Sequence, residues 1–174
     1  AIVGEAQIAK LDRSFDFEGL GDVHGGTGFP ELAVLEYKSA IALDPANDAA
    51  FRGIAAAYHA LGRDQDAEAA YREAITKHPD YWAGYSHLGT FYLRQARYAE
   101  AYAMLKRVTE LAPLNARGWS NLGGTLTYLD RTDESIAALK EAARLRPSAV
   151  AESNLGSVLY YSNREAEAIR HFRR

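Results

Sequence analysis

The chain has 174 residues, a net charge of −3 with both signs interspersed, and no cysteine. The length suffices for one domain with a real core. The charge argues against a nucleic-acid partner or an anionic membrane surface, and the lack of cysteine removes disulfides, thiolate nucleophiles and cysteine zinc sites. No apolar run approaches the roughly 18 residues of a membrane span, and the first residues carry no signal-peptide pattern. The expected location is cytoplasmic, or the cytoplasmic or periplasmic part of a larger protein. The apolar residues are rich in Ala and Leu, which favour helix over strand.

The chain starts inside an apolar pattern at Ala1-Ile2-Val3 and stops inside another at His171-Phe172-Arg173-Arg174, so it reads as a piece of a longer protein. Ile2–Leu11 is the expected first helix. A strict repeat count would instead centre that helix on Leu20-Gly21. It would then carry His24-Gly25-Gly26-Thr27-Gly28 into its last turn and beyond, at about 1 kcal/mol per glycine relative to alanine. Residues 12–30 become a long Gly-rich insertion, of the kind that is either functional or disordered. No strand precedes its HGGTG segment, no Lys-Ser/Thr follows, and no nucleophile motif accompanies it, so it reads as a flexible insertion rather than a phosphate cradle or oxyanion hole. Pro30 through Leu43 reads as a second helix, closed by Pro45.

From there the chain repeats. Pro45, Pro79, Pro113 and Pro147 stand 34 residues apart. Blocks aligned on Asp48, Trp82, Ala116 and Ala149 share their letters, the last shifted by one because its preceding loop is one residue short. The fourth position reads Phe51, Tyr85, Trp119, Glu152; the seventh Ile54, Leu88, Leu122, Leu155; the eighth Ala55, Gly89, Gly123, Gly156. The eleventh reads Tyr58, Tyr92, Leu126, Leu159; the twentieth Ala67, Ala101, Ser135, Ala168; the twenty-fourth Tyr71, Leu105, Leu139, Phe172. Large residues at four, seven and eleven form one helix face. Small residues at eight and twenty let two helices approach closely. Gly62, in Leu61-Gly62-Arg63-Asp64, suits a helix C-cap. Each proline ends a second helix. Only Glu152 departs from the large apolar choice, which leaves its packing open.

These letters resemble the tetratricopeptide repeat (TPR), a 34-residue helix–turn–helix, over residues 48–174. The resemblance implies an all-α, right-handed superhelix of stacked helix pairs in one continuous solenoid domain. Its units would be an atypical first repeat at 1–47, then 48–81, 82–115, 116–148 and a truncated repeat at 149–174. It also implies that first helices line a concave groove that holds extended peptides or helices. The groove residues so assigned are Arg52, His87, Thr90, Arg94, Arg117, Asn121, Tyr128, Asn154, Ser157 and Tyr161. Asn121 and Asn154, each within Ser-Asn-Leu-Gly, look like the asparagine ladder of TPR superhelices, with His87 in the preceding rung and Gly53 interrupting it. A carboxamide offers a donor and an acceptor, so it can clamp a peptide backbone without reading sequence. The bland alternative is a solvated amide or one that caps a neighbouring loop. For Tyr128, Tyr160 and Tyr161, packing against the next repeat competes with service as aromatic anchors. The carboxylate-clamp pattern is absent, because Ala56 follows Arg52.

The expected function is a non-catalytic protein- or peptide-binding scaffold, with no metal, no cofactor, no nucleic acid and no membrane. The alternative is an inactive regulatory region of a larger signalling enzyme. The run from Ala42 to Gly89 resembles the TPR tails of bacterial serine/threonine kinases, although no kinase motif is present. Self-assembly as a homodimer is a third expectation, through an exposed apolar face around Leu159, Ile169 and Phe172 in the truncated last repeat.

Overall fold

A computed structural model of the chain describes residues 30–173. The helix at Ile2–Leu11, its alternative around Leu20-Gly21 and the HGGTG segment lie outside the described residues, as does all but the last residue of the 12–30 insertion. Among the described residues there are nine helices and no strand. They are α1 (Pro30–Leu43), α2 (Asp48–Ala60), α3 (Asp64–Lys77), α4 (Trp82–Arg94), α5 (Tyr98–Leu111), α6 (Ala116–Tyr128), α7 (Thr132–Leu145), α8 (Ala149–Tyr161) and α9 (Glu165–Phe172). The chain divides into two compact units, residues 1–70 and 71–174, with the boundary inside α3.

In the first unit α1 packs on α2. Ala33, Tyr37 and Ala40 are buried on one face of α1, and Phe51 and Ile54 are fully buried on α2. A Cβ on Gly53 would overlap the Tyr37 ring. Glycine therefore breaks the sixth-position series here because an aromatic ring already fills the space.

In the second unit, α4 and α5, α6 and α7, and α8 and α9 form helical hairpins, and each hairpin packs on the next. The small residue at position eight does the work its size suggests. A Cβ on Gly89 would stand 2.8 Å from Leu105 Cγ, one on Gly123 would stand 2.6 Å from Leu139 Cγ, and one on Gly156 would stand 2.7 Å from Phe172. Each clash is with the twenty-fourth position of the same repeat. At the twentieth position Ala101 and Ala168 are fully buried, and so is Ser135. The Ser135 hydroxyl replaces alanine without leaving an unpaired group: it donates to the Gly123 carbonyl at 2.8 Å. The last two hairpins enclose a core of Ile136, Leu139, Leu155, Leu159 and Ala168.

The turn within each hairpin has one design, repeated in both units. A left-handed residue follows the first helix: Gly62 (φ 65°), Ala96 (57°), Asp130 (57°) and Asn163 (60°). Its N–H and that of the next residue bond back to the helix carbonyls two and three places before the cap. Examples are Ala96 N–H to Leu93 O at 3.1 Å and Arg97 N–H to Tyr92 O at 2.9 Å. This is the Schellman termination, which satisfies carbonyls otherwise left without partners. The residue after the left-handed one is always arginine. Arg63, Arg97 and Arg131 lie over the rings of Tyr58, Tyr92 and Tyr102. Together with Arg164 they pair with Asp66, Glu100, Glu134 and Glu167 three residues on. The hydrogen bonds from Arg131 and Arg164 hold the Glu134 and Glu167 carboxyls below the usual carboxylate range.

Between hairpins, side-chain caps start three of the first helices. Asn47, Asn115 and Ser148 accept from the N–H groups of Ala50, Gly118 and Ala151, which satisfies donors at the helix N-terminus. The aromatic at position four reaches back to the proline of the preceding loop. Tyr85 O–H donates to Pro79 O at 2.9 Å and Trp119 Nε1–H to Pro113 O at 2.8 Å.

Two details of the last repeat resolve or correct the reading of the sequence. Glu152, the odd letter at position four, is nearly buried and lies 2.6 Å from His171 Nδ1, with side-chain exposures of 13% and 18%. His171 stands where the preceding repeats carry Ala138 and Met104, so a polar pair has replaced apolar residues at both positions of the last repeat. Leu159 was expected on an exposed apolar face. It is fully buried, because α9 closes over α8 and completes the core there. Only Ile169 and Phe172 of that expected face remain about half exposed.

Candidate functional site

The face of interest is built by the first helices of the second unit. α6 touches both α4 and α8, so equivalent positions on the three helices recur on neighbouring helices. Position six is held by His87, Asn121 and Asn154. His87 is half-buried and engaged with a neighbour. Asn121 is half-buried and Asn154 is exposed. Neither carboxamide takes a hydrogen-bond partner among the described residues, so neither caps a neighbouring loop. Their donors and acceptors remain available to a ligand.

The hydroxyls beside them are partly committed. Thr90 donates to Ser86 O at 2.8 Å and Ser157 to Ser153 O at 2.9 Å, each turned back on its own helix. Their oxygens can still accept. Arg94, at the end of α4, and Arg117, at the start of α6, are exposed. Arg94 lies close enough to Tyr71 to oppose, in part, the rise that burial imposes on that phenol. Arg52 belongs to the first unit, where it is exposed on α2. Tyr128 is 65% exposed and stacks on Tyr98, with ring centroids 4.6 Å apart and planes 4° from parallel. Its ring therefore packs against the preceding repeat while keeping its other side open. Tyr161 is 84% exposed and meets Tyr160 edge-on at 5.7 Å. Positions two, five, six, nine, twelve and thirteen of α4, α6 and α8 include no Asp or Glu.

The sequence reading missed the opposite side of these helices. A cleft of about 770 Å³ runs between α5 and α7 over α6, floored by Trp119, Leu122 and Leu126 and bordered by Tyr102 and Lys106. A smaller one of about 470 Å³ contains the Glu152–His171 pair beside Lys140 and Arg144. The arginine of each hairpin turn was also missed, although Arg63, Arg97 and Arg131 recur at the repeat spacing and could have been found by it. Among the described residues no group of three or more His, Asp or Glu gathers as a metal site. No helix among them is long and apolar enough to cross a membrane.

Stacked helical hairpins with this packing code define an all-α helical-repeat superhelix. Three family models, each described as tetratricopeptide repeat, match residues 19–81, 65–123 and 116–148, and the chain belongs to that family. The fold is similar to solved structures of MamA. One from Desulfovibrio magneticus RS-1 has 21% identity and a TM-score of 0.70, over 90% of this chain and 89% of that one. A MamA structure described as AMB-1 P212121 has 25% identity and a TM-score of 0.65, over 90% and 86%. The fold is also similar to PilF of Pseudomonas aeruginosa, with 22% identity and a TM-score of 0.68, over 89% and 71%. No curated protein of matching sequence was found. A helical-repeat scaffold of this family is consistent with a protein-interaction role.

Proposed function

We propose that the chain is a non-catalytic scaffold that holds an extended peptide or protein segment along the α4–α6–α8 face. The observation that carries this reading is the pair of uncommitted carboxamides, Asn121 and Asn154, at the same position of adjoining helices. An amide in each rung can donate to and accept from a ligand backbone, while the small residues Gly124 and Ser157 let that backbone approach. His87, Thr90, Arg94, Arg117, Tyr128 and Tyr161 border the same path, and Arg52 offers a cation on the first unit. The reading is the same whether the scaffold stands alone or forms the regulatory part of a larger signalling enzyme.

The test is a peptide-library screen of the purified chain beside an Asn121→Ala/Asn154→Ala double variant. Binding by the parent, lost in a variant that keeps its circular dichroism, is the expected result. A parent that binds no peptide, or a variant that binds equally well, would sink the clamp. A second reading, association of two copies through the last repeat, is favoured by the half-exposed Ile169 and Phe172 on α9. A molar mass that stays monomeric at high concentration excludes it.

A further inference from the structure

We infer that the segment held on the α4–α6–α8 face is acidic, and that Arg94 and Arg117 pair with its carboxylates while its backbone lies on the carboxamides. The inference rests on the scaffold reading above and adds the charge of the ligand. Positions two, six, nine and thirteen fall on one side of a helix, because they follow one another at steps of three or four residues. On α4 this stripe reads Ala83, His87, Thr90 and Arg94, and on α6 it reads Arg117, Asn121, Gly124 and Tyr128. Arg94 thus closes the stripe of one helix and Arg117 opens that of its neighbour, and the two helices are in contact.

Charge is sorted between the two kinds of helix. The chain has 23 Asp and Glu residues, yet α4, α6 and α8 together contain a single one, Glu152. It is held by His171, on the far side of α8 from Asn154. The arginines divide in the same way. Arg63, Arg97, Arg107, Arg131, Arg144 and Arg164 lie in the hairpin turns or on second helices, and each pairs with a carboxylate three residues away. Arg94 and Arg117 are exposed and have no carboxylate partner among the described residues. A chain of net charge −3 therefore presents a face whose only formal charges are positive. A basic segment finds no counter-ion there, and a neutral one leaves both guanidiniums unused. An acidic segment meets two planar forks, each able to donate paired hydrogen bonds to a carboxylate. Complementary charge also steers encounter and disfavours wrong partners. Two cations are few beside the roughly 6–10 phosphate contacts that hold a protein on DNA, so the face suits a peptide rather than a nucleic acid.

The experiment titrates three dodecapeptide mixtures into the parent chain, random in sequence except that every third position is Glu in one, Gln in the second and Lys in the last. The Glu mixture should bind about fivefold more tightly than the Gln mixture, and the Lys mixture most weakly. The preference should shrink as NaCl is raised from about 50 to about 500 mM. Arg94→Gln/Arg117→Gln should bring the Glu mixture down to the affinity of the Gln mixture. Both arginines are exposed, so the fold should survive, which circular dichroism checks. Arg146→Gln, at an exposed arginine that follows α7, should leave the preference as it is. Equal affinity for the Glu and Gln mixtures overturns the inference, as does a preference that persists in the double variant or is lost equally in Arg146→Gln. An oligothymidine bound more tightly than the Glu mixture also overturns it, because the cations would then serve phosphates. If the Glu and Gln mixtures bind alike and both are lost in the Asn121→Ala/Asn154→Ala variant, the scaffold reading stands without the acidic preference. If no mixture binds, both readings fall.

Discussion

Gly123 and Gly124 are neighbours in the middle of α6, and replacing each by alanine should shift stability in opposite directions. Alanine favours a helix interior over glycine by about 1 kcal/mol, and this gain is the same at both sites. At Gly124 a Cβ meets nothing within 4 Å, so Gly124→Ala should stabilise the chain by about 1 kcal/mol. At Gly123 a Cβ would stand 2.6 Å from Leu139 Cγ, 2.9 Å from its Cδ2 and 3.3 Å from its backbone nitrogen. Carbon atoms in comfortable contact are about 3.5–4.0 Å apart, so Leu139 would have to withdraw by about 1 Å. It has little room, being 3% exposed in a cluster with Ile136, Leu155 and Leu159. Overpacking of this kind costs about 1–3 kcal/mol. After the helix gain, Gly123→Ala should destabilise by about 1 kcal/mol. The two variants should thus differ by about 2 kcal/mol, or several degrees in Tm for a chain of this size. Thermal and urea unfolding followed by circular dichroism read the difference. If both variants stabilise alike, α7 can slide away from α6 at no cost, and close approach at position eight is not what fixes the hairpin.

The hairpin turns give a second pair of opposite signs. Ala96 holds a left-handed conformation and is exposed, so Ala96→Gly removes backbone strain of about 1–2 kcal/mol against about 0.4–1 kcal/mol of unfolded-chain entropy. It should raise stability by about 0.5–1 kcal/mol. Gly62→Ala, with open space around its Cβ, should lower stability through backbone strain alone; equal urea midpoints for the two variants and their parent would remove the strain argument. In the last repeat, His171→Ala takes away a partner of the nearly buried Glu152 and should cost about 1–3 kcal/mol. Adding Glu152→Tyr, which restores the letter used by Tyr85, should recover part of that loss. Additive effects in the double-mutant cycle would show that the two side chains are not coupled.

Much of the fold was legible because the repeat code is local. The prolines at 34-residue steps end the second helices wherever they fall, and the span read from the sequence for the helix at Pro30–Leu43 coincides with that of α1. The large residues at positions seven and eleven and the small ones at eight and twenty face each other across a single hairpin. Each repeat therefore carries its own instructions, and repetition makes them visible above the noise. The candidate site was legible only as positions. That Asn121 and Asn154 belong to one face follows from period alone, but that their amides stay uncommitted does not.

What the sequence by itself determined is the helical period, the hairpin unit, the helix ends and the family, since all of these rest on backbone preferences and on contacts within about one repeat. What only the tertiary structure decided depends on pairs of side chains meeting across helices. Glu152 replaces an aromatic because His171 comes within 2.6 Å of it. Leu159 is buried because α9 closes over α8. Gly53 breaks the sixth-position series because the Tyr37 ring fills the space a side chain would need, and the Tyr128 ring lies flat against the preceding repeat because it stacks on Tyr98. In each case the composition of one helix is compatible with either outcome. The volume, ring plane or hydrogen-bond partner on the facing helix selects between them.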